Sequence, residues 1–179
     1  MSLDGFVADR EGSVARLYPD LAAFRETGYM DSEIERTGAV LMGRRTFEMG
    51  DPDSYVEGYE FQVPIFVMTH HPPKVPPKQN ERLTFTFLSG SLGSAVARAK
   101  AAAGDKAVTV VGGASLVQEL LREGLVDELQ VDVMPVLLGG GLRFLENVDP
   151  EQVGLEKIGV VEVGARTSLR YRVAPRGHP

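Results

Sequence analysis

The chain has 179 residues, of which 43% are hydrophobic and 25% are charged, a composition that is ordinary for a globular protein with one core. Its formal net charge of −6 argues against a general nucleic-acid binder, and the absence of cysteine excludes disulfides and thiolate sites. No apolar run approaches the roughly 20 residues of a membrane span. The first residues lack the basic-then-apolar order of a secretory signal, so a cytoplasmic protein is expected.

Strands and helices alternate through the middle of the chain, which predicts an α/β fold with a largely parallel sheet and helices on both faces. Near the start, two short helical stretches are expected at 19–27 and 31–36, the second closed by Gly38 as a C-cap. The later elements, predicted from apolar runs and helical periodicity, are strands at 39–42, 64–69, 83–88, 107–111 and 126–136 and helices at 91–103 and 114–123. Two final strands, 155–163 and 168–173, predict an antiparallel hairpin and make the sheet mixed.

The first strand end that suits a phosphorylated ligand is Gly43-Arg44-Arg45-Thr46. Gly43 permits close approach of the backbone, and the arginine forks can donate paired hydrogen bonds to phosphate. Thr46 can add a hydroxyl. The alternative is a pair of solvated arginines on a surface turn.

Two further strands are also followed by residues that could contact a phosphorylated ligand. Thr69 and His70 follow the strand at 64–69, either as part of a nucleotide pocket or as ordinary polar residues before a proline-rich loop. No metal site is predicted there, because adjacent histidines on an extended segment point to opposite sides. The segment 111–116 joins a strand to a helix through Gly112 and Gly113, either to seat a diphosphate on the helix N-terminus or for tight packing. Since parallel strands share one carboxyl edge, the three junctions predict one cleft for a phosphorylated dinucleotide.

The order of these segments resembles the dihydrofolate reductase superfamily, and more closely the reductase domain at the C-terminal end of the bifunctional riboflavin-biosynthesis deaminase–reductase. The matching segments are SLDGFVA (2–8), VLMGRRTF (40–47), PIFVMT (64–69), VGGASL (111–116), and the tail from GLVDEL (124–129) to PVLLGGG (135–141). The resemblance implies a single domain over residues 1–179, a three-layer α/β/α sandwich around a central mixed, mostly parallel sheet. It also implies a homodimer that transfers hydride from NADPH to a small heterocycle.

Each junction takes a part of NADPH in this resemblance. Arg44, Arg45 and Thr46 would meet phosphates, and the arginines would favour the 2′-phosphate that distinguishes NADPH from NADH. Thr69 and His70 would lie on the adenosine side. The other residues that the resemblance places at the cofactor are Val7, Ala8, Gly43, Val111, Gly112, Gly113, Ala114, Ser115 and Leu116. The substrate-side residues, near the nicotinamide, are Asp4 and Gly5.

The resemblance also implies three details of the chemistry. The Gly112–Gly113 peptide is expected to be cis, as paired glycines are in relatives of the dihydrofolate reductase type. Asp20, in a segment similar to the one that bears their catalytic carboxylate, would bind a protonated ring and help relay a proton; a helix-capping role is the alternative. Riboflavin reductases usually have glutamate where Gly112 stands, which leaves the substrate open. The alternative function is a non-catalytic nucleotide-binding or interaction domain that keeps the fold.

Overall fold

The computed structural model describes residues 1–175, which form two compact units. One unit is Gly28–Leu116; the other comprises Met1–Thr27 and the chain from Val117 onward. The strands are β1 (Phe6–Ala8), β2 (Thr37–Gly43), β3 (Ile65–Met68), β4 (Phe85–Leu88), β5 (Ala107–Val110), β6 (Glu128–Val133), β7 (Leu142–Arg143), β8 (Val153–Val163) and β9 (Arg166–Pro175). The α-helices are α1 (Leu21–Arg25), α2 (Gly28–Arg36), α3 (Arg44–Phe47), α4 (Tyr55–Gly58), α5 (Leu92–Ala103) and α6 (Ala114–Arg122), with 3₁₀ turns at Ala15–Leu17 and Pro52–Ser54. The assignment of the whole chain to one domain stays a prediction.

The unit Gly28–Leu116 is built on a parallel sheet with the strand order β4-β3-β2-β5. Residues 39–42 of β2 are fully buried, because a central parallel strand packs on both faces. The register aligns Gly43 with Met68 and Met68 with Leu88, so these three strands end level with one another. The sheet therefore presents one even carboxyl edge, from which the next segments of chain depart.

One predicted helix boundary, the start of α5 at Ser91, is confirmed, and another, the helix end at Gly38, is wrong. Its N-cap is Ser91, whose Oγ accepts a hydrogen bond from the Ser94 amide at 3.3 Å. Gly38, expected as a C-cap, lies inside β2, because α2 ends at Arg36 and the strand begins at the next residue. A Cβ at position 38 would lie 2.5 Å from the Ala103 carbonyl oxygen, so the glycine is needed where the end of α5 approaches the strand.

The second unit consists mainly of antiparallel strands. Strands β6, β9 and β8 form one sheet in that order, and β1 pairs with β7. The β8–β9 ladder confirms the predicted C-terminal hairpin, and the fold class predicted from the sequence is confirmed with it. Strand β6 ends at Val133, earlier than predicted; the next residue, Met134, instead bridges in parallel to Ser2.

The edge strand β8 is exposed on much of its length. Four of its large apolar side chains are between 38% and 50% exposed, namely Leu155, Ile158, Val160 and Val161. An uncovered apolar edge strand is a common site of pairing with another chain, and the homodimer implied by the resemblance stays a prediction. Within residues 1–175, no helix has the length and apolar character to cross a membrane.

Candidate functional site

The carboxyl edge of the parallel sheet brings the three predicted junctions together within the unit Gly28–Leu116. Strands β5, β2 and β3 are neighbours, and their following residues therefore leave the sheet side by side. The Val111 amide donates to the Leu41 carbonyl at 3.0 Å, and the Thr69 amide donates to the Leu88 carbonyl at 2.8 Å. These bonds extend the ladders one residue beyond the strands and fix where each junction begins.

Thr46 packs directly against the paired glycines. Helix α3 begins at the residue after Gly43, which is itself extended with φ −84° and ψ 162°. A Cβ on Gly112 would lie 2.7 Å from the Thr46 Oγ1 atom, whereas a Cβ on Gly113 would lie 3.6 Å from it. Position 112 therefore has no room for a side chain, glutamate included, while Thr46 is in place.

The peptide bond between Gly112 and Gly113 is trans, like every other peptide bond in residues 1–175, so the predicted cis bond is wrong. The two glycines have φ values of 64° and 67°, in the left-handed region that residues with a Cβ atom rarely adopt. Two consecutive residues of this kind turn the chain from β5 into α6, and the turn needs no cis bond, which would cost about 2.5–4 kcal/mol.

The residues around this turn complete the third junction. Val111 is half-buried, Ala114 and Leu116 are buried, and Ser115 is exposed in the first turn of α6. The first amides of a helix have no intrahelical acceptor and carry a partial positive charge. The junction thus combines backbone donors with two glycines that carry no side chain.

The two arginines of the first junction differ in their partners. The Arg44 Nε atom donates to the Glu48 Oε1 atom at 2.7 Å, and both side chains are about half exposed, at 47% and 48%. Such a surface pair contributes about 0.3–0.5 kcal/mol to the free energy of unfolding. Arg45 is exposed and has no ion-pair partner among residues 1–175. Arg45 is therefore the better placed of the two to neutralise an added phosphate.

The second junction is shaped by the hydroxyl of Thr69. The side chain is 9% exposed, and its Oγ1 atom accepts a hydrogen bond from the His71 amide at 3.0 Å. This bond turns the chain away from β3 and leaves both His70 and His71 exposed. Residues 1–175 contain no group of three or more His, Asp or Glu side chains arranged to hold a metal ion.

A small cavity, which was not predicted from the sequence, lies at the end of β4. Its volume is about 240 Å³. It is lined by Phe87, Leu88, Ser89, Gly90, Ser91, Ser94, Ala95 and Arg98. The available signal was the run Ser89-Gly90-Ser91 at the end of a strand, which has the same character as the other three junctions.

Asp20 lies in the other unit, where its carboxylate forms an ion pair with Arg166 of β9. The Arg166 side chain is 1% exposed and that of Asp20 is 35% exposed. The guanidinium carbon lies 3.8 Å from the centroid of the Phe24 ring and 5.7 Å from that of Tyr18. The Asp20 carboxylate therefore neutralises a buried cation that lies near two aromatic rings.

The ion pair between Asp20 and Arg166 was not predicted from the sequence. The structure also decides against the capping role considered for Asp20. Asp20 occupies the position before α1, but its side chain makes no capping hydrogen bond, so the helix-capping alternative is wrong. The signal for Arg166 was weak, because Arg170 and Arg172 follow at even spacings along β9 and only Arg166 is fully buried. The catalytic role of Asp20 stays a prediction.

The predicted substrate-side residues lie in the same unit as Asp20. Asp4 accepts hydrogen bonds from the backbone amides of Leu138, at 3.1 Å, and Gly139, at 2.7 Å. The Ser2 side chain, and after it these amides, lower the pKa of Asp4 from 3.8 to about 2. Asp4 thereby ties the N-terminal segment to the glycine-rich turn.

Three neighbours of Asp4 were also predicted at the site. Gly5 has a φ of 87°, which favours glycine. Val7 is half-buried, and Ala8 is buried. A Cβ on Gly141 would collide with the Ala8 carbonyl oxygen, so β1 and the glycine-rich turn are closely packed.

Replacing Asp4 by asparagine is expected to remove part of the stability at neutral pH but little at strongly acidic pH. The folded pKa of Asp4, about 2, lies below the ordinary value of 3.8. Its contribution to stability is therefore complete above about pH 4 and is lost as the pH falls toward 2. Thermal unfolding midpoints of the native chain and Asp4→Asn should differ above about pH 4 and converge below it. A difference that stays constant down to about pH 2 would contradict this assignment.

The parallel sheet, the C-terminal hairpin and the shared edge of three junctions define an α/β protein with the fold of riboflavin-pathway reductases. The chain belongs to the RibD C-terminal domain family, whose model matches residues 1–169. The recognition made from the ordered motifs is thus confirmed.

The chain matches nearly the whole length of some relatives and about half the length of others. The chain is 29% identical over 171 residues to the uncharacterized protein YwjB of Bacillus subtilis, covering 96% of this chain and 92% of that protein. A Shewanella sp. PV-4 protein named for riboflavin biosynthesis superposes with a TM-score of 0.75 at 24% identity, over 97% of this chain and 95% of that one. A Thermotoga maritima diaminohydroxyphosphoribosylaminopyrimidine deaminase/5-amino-6-(5-phosphoribosylamino)uracil reductase superposes at 0.67 and 18% identity, over 97% of this chain and 54% of that one. At these identities the solved structures establish the fold.

Proposed function

We propose that the chain is an NADPH-dependent reductase that transfers hydride to a small heterocycle. The observation that carries the proposal is the contact of Thr46 with Gly112 at one edge of the parallel sheet, next to Arg45, which has no ion-pair partner among residues 1–175. Membership of the RibD C-terminal domain family supports a reductase. The Thermotoga relative named as a reductase of a phosphoribosylamino-uracil supports a heterocyclic substrate.

The residues at this edge fit a phosphorylated dinucleotide. Gly112 and Gly113 place no side chain over the turn from β5 into α6, and the free amides at the start of α6 can hold a diphosphate. Arg45 would pair with the additional 2′-phosphate. Thr69 and His70 would line the adenosine side. Bound NADPH would supply the hydride, while the chain binds and orients both reactants.

Replacing Arg45 by alanine is expected to weaken NADPH binding by about tenfold or more and NADH binding far less. A charge-assisted hydrogen bond contributes about 1.5–3 kcal/mol, and NADH lacks the 2′-phosphate that Arg45 would meet. The matched control is Arg44→Ala, whose effect should be smaller because Glu48 already engages Arg44. Calorimetric titration with both cofactors measures the affinities. Equal weakening of NADPH and NADH by Arg45→Ala would remove the 2′-phosphate role, and the absence of NADPH binding at millimolar concentration would overturn the proposed function.

One observation favours a second candidate, a nucleotide-binding domain without catalysis. The carboxylate proposed as the proton source is already engaged by the buried Arg166. A protein of this kind would bind NADPH but would not oxidise it. The two candidates are separated by following NADPH absorbance with dihydrofolate and with phosphoribosylamino-uracil: turnover with either supports the reductase.

A further inference from the structure

The ion pair between Asp20 and Arg166 involves the carboxylate that the sequence resemblance placed against a protonated ring. Both residues, and the two aromatic rings beside the guanidinium, belong to the unit that comprises Met1–Thr27 and the chain from Val117 onward. The Asp20 side chain is 35% exposed, whereas that of Arg166 is 1% exposed. An anion that solvent reaches therefore has a buried cation directly behind it.

The surroundings of Arg166 hold it in place. Its backbone pairs with Val163 at the start of the β8–β9 ladder, and its guanidinium carbon lies 3.8 Å from the centroid of the Phe24 ring. Its Nε atom is buried and has no hydrogen-bond partner among residues 1–175. A buried guanidinium that already leaves one N–H unsatisfied depends strongly on its counter-charge. The pair therefore cannot open to free the carboxylate without leaving a buried charge uncompensated.

Both oxygens of the Asp20 carboxylate have neighbours within the same unit. The Oδ1 atom accepts a hydrogen bond from the Arg166 Nη2 atom. The Oδ2 atom lies beside the β8–β9 turn, since a Cβ on Gly164 would be 3.5 Å from it. A protonated ring that carries an amino group binds a carboxylate best through two parallel N–H···O bonds, one to each oxygen. Arg166 already uses one of these oxygens and also cancels the charge that would attract such a ring.

We propose that Arg166 determines specificity through Asp20: it masks the carboxylate, so that the protein does not favour a protonated heterocycle over a neutral one. The inference rests on the proposed function, because Asp20 is expected at the substrate only in a reductase of this kind. It narrows the substrate class to heterocycles that bind without a positive charge on the ring. Arg166 does not touch the ligand in this proposal, and its effect is exerted on the charge and the free oxygens of Asp20.

The test compares two ligands of the same shape and different charge by calorimetric titration at mildly acidic pH. They are 2,4-diamino-5-benzylpyrimidine, whose ring is then protonated, and its neutral 4-oxo analogue. The native chain should bind the cationic ligand no more tightly than the neutral one. Arg166→Met should raise the affinity for the cationic ligand alone by about tenfold or more, because it unmasks a carboxylate that accepts charge-assisted hydrogen bonds. The double variant Asp20→Asn, Arg166→Met should lose that gain.

Three further variants make the result specific to the masked charge. Arg166→Lys keeps a cation behind Asp20 and should behave like the native chain. Arg172→Met removes the same charge from an exposed ion pair on the same strand and should change neither affinity. Arg166→Gln also removes the charge and should show the same gain, which covers the case in which circular dichroism finds Arg166→Met unfolded.

The outcomes for the inference and for the proposed function are separate. A native chain that already prefers the cationic ligand, an absence of gain in the variants that remove the charge, or an equal gain in Arg166→Lys would overturn the masking role. NADPH affinity, measured alone, should be the same in Arg166→Met and the native chain. If NADPH binds but the masking role fails, the proposed function stands without it. If NADPH does not bind the native chain at all, the proposed function fails whatever the two ligands do.

Discussion

Replacing Asp20 by asparagine is expected to lower the free energy of unfolding by about 2–4 kcal/mol. The substitution leaves the guanidinium of Arg166, whose side chain is 1% exposed, without its counter-charge. Breaking a fully buried ion pair costs roughly 3–5 kcal/mol, and the 35% exposure of the Asp20 side chain reduces that figure through solvent screening. Urea unfolding followed by circular dichroism measures the loss.

A matched control on the surface of the same unit makes this result interpretable. Glu156 and Arg172 form an ion pair at 2.7 Å with side chains that are 66% and 60% exposed. Glu156→Gln should therefore cost well under about 1 kcal/mol. The double variant Asp20→Asn, Arg166→Met should recover most of the loss, because an apolar replacement removes the stranded charge. An effect of Asp20→Asn no larger than that of Glu156→Gln would contradict the pairing.

The same variants decide what Asp20 contributes to chemistry. Loss of turnover in Asp20→Asn alone has two explanations, a missing proton source and a destabilised fold. The double variant with Arg166→Met separates them, because its fold is expected to be restored while position 20 still lacks a carboxylate. Inactivity of a stably folded double variant supports a catalytic Asp20, and activity assigns the carboxylate to structure.

Gly112→Ala is expected to have the second large effect, about 2–4 kcal/mol of stability together with a loss of NADPH affinity. The left-handed φ of 64° costs a side chain about 1–2 kcal/mol. The new Cβ would also lie 2.7 Å from the Thr46 hydroxyl, which forces α3 or the turn to move. Unfolding and NADPH titration are the two measurements.

Gly113→Ala is the matched control for this variant. Its φ of 67° imposes the same backbone strain, but its nearest side-chain contacts are at 3.6 Å. Gly113→Ala should therefore lower the free energy of unfolding by only about 1–2 kcal/mol. The double variant Gly112→Ala, Thr46→Ala should recover part of the difference, since the Thr46 Oγ1 and Cγ2 atoms make the closest contacts. Equal losses at positions 112 and 113 would show that the contact with Thr46 is unimportant.

The parts of the fold that were predicted from the sequence are those determined by local pattern. The run 39–42 is apolar throughout and could be stable only as a buried strand, and Ser91 precedes an alanine-rich helix that it caps. The common edge of the junctions followed from strand–helix alternation, because parallel strands point the same way. These inferences needed no knowledge of distant contacts.

The parts that were missed depend on residues that are far apart in the chain. Arg166 meets Asp20 across 146 positions, and Asp4 meets the turn at Gly139 across 135. Gly38 resembled a helix end because nothing local signals that Ala103 approaches it. The trans bond at Gly112 was missed for a different reason: the geometry of relatives was transferred to a turn that two left-handed glycines make in another way.

The contact between Thr46 and Gly112 also limits how this protein can change by mutation. A single substitution of Gly112 by a larger residue meets the hydroxyl and methyl of Thr46 within 3.0 Å. A variant that first loses bulk at position 46 can accept a side chain at 112 with fewer clashes, although the backbone strain remains. In a laboratory selection for altered substrate use, substitutions at position 46 should therefore precede those at 112, and the reverse order should pass through poorly folded intermediates.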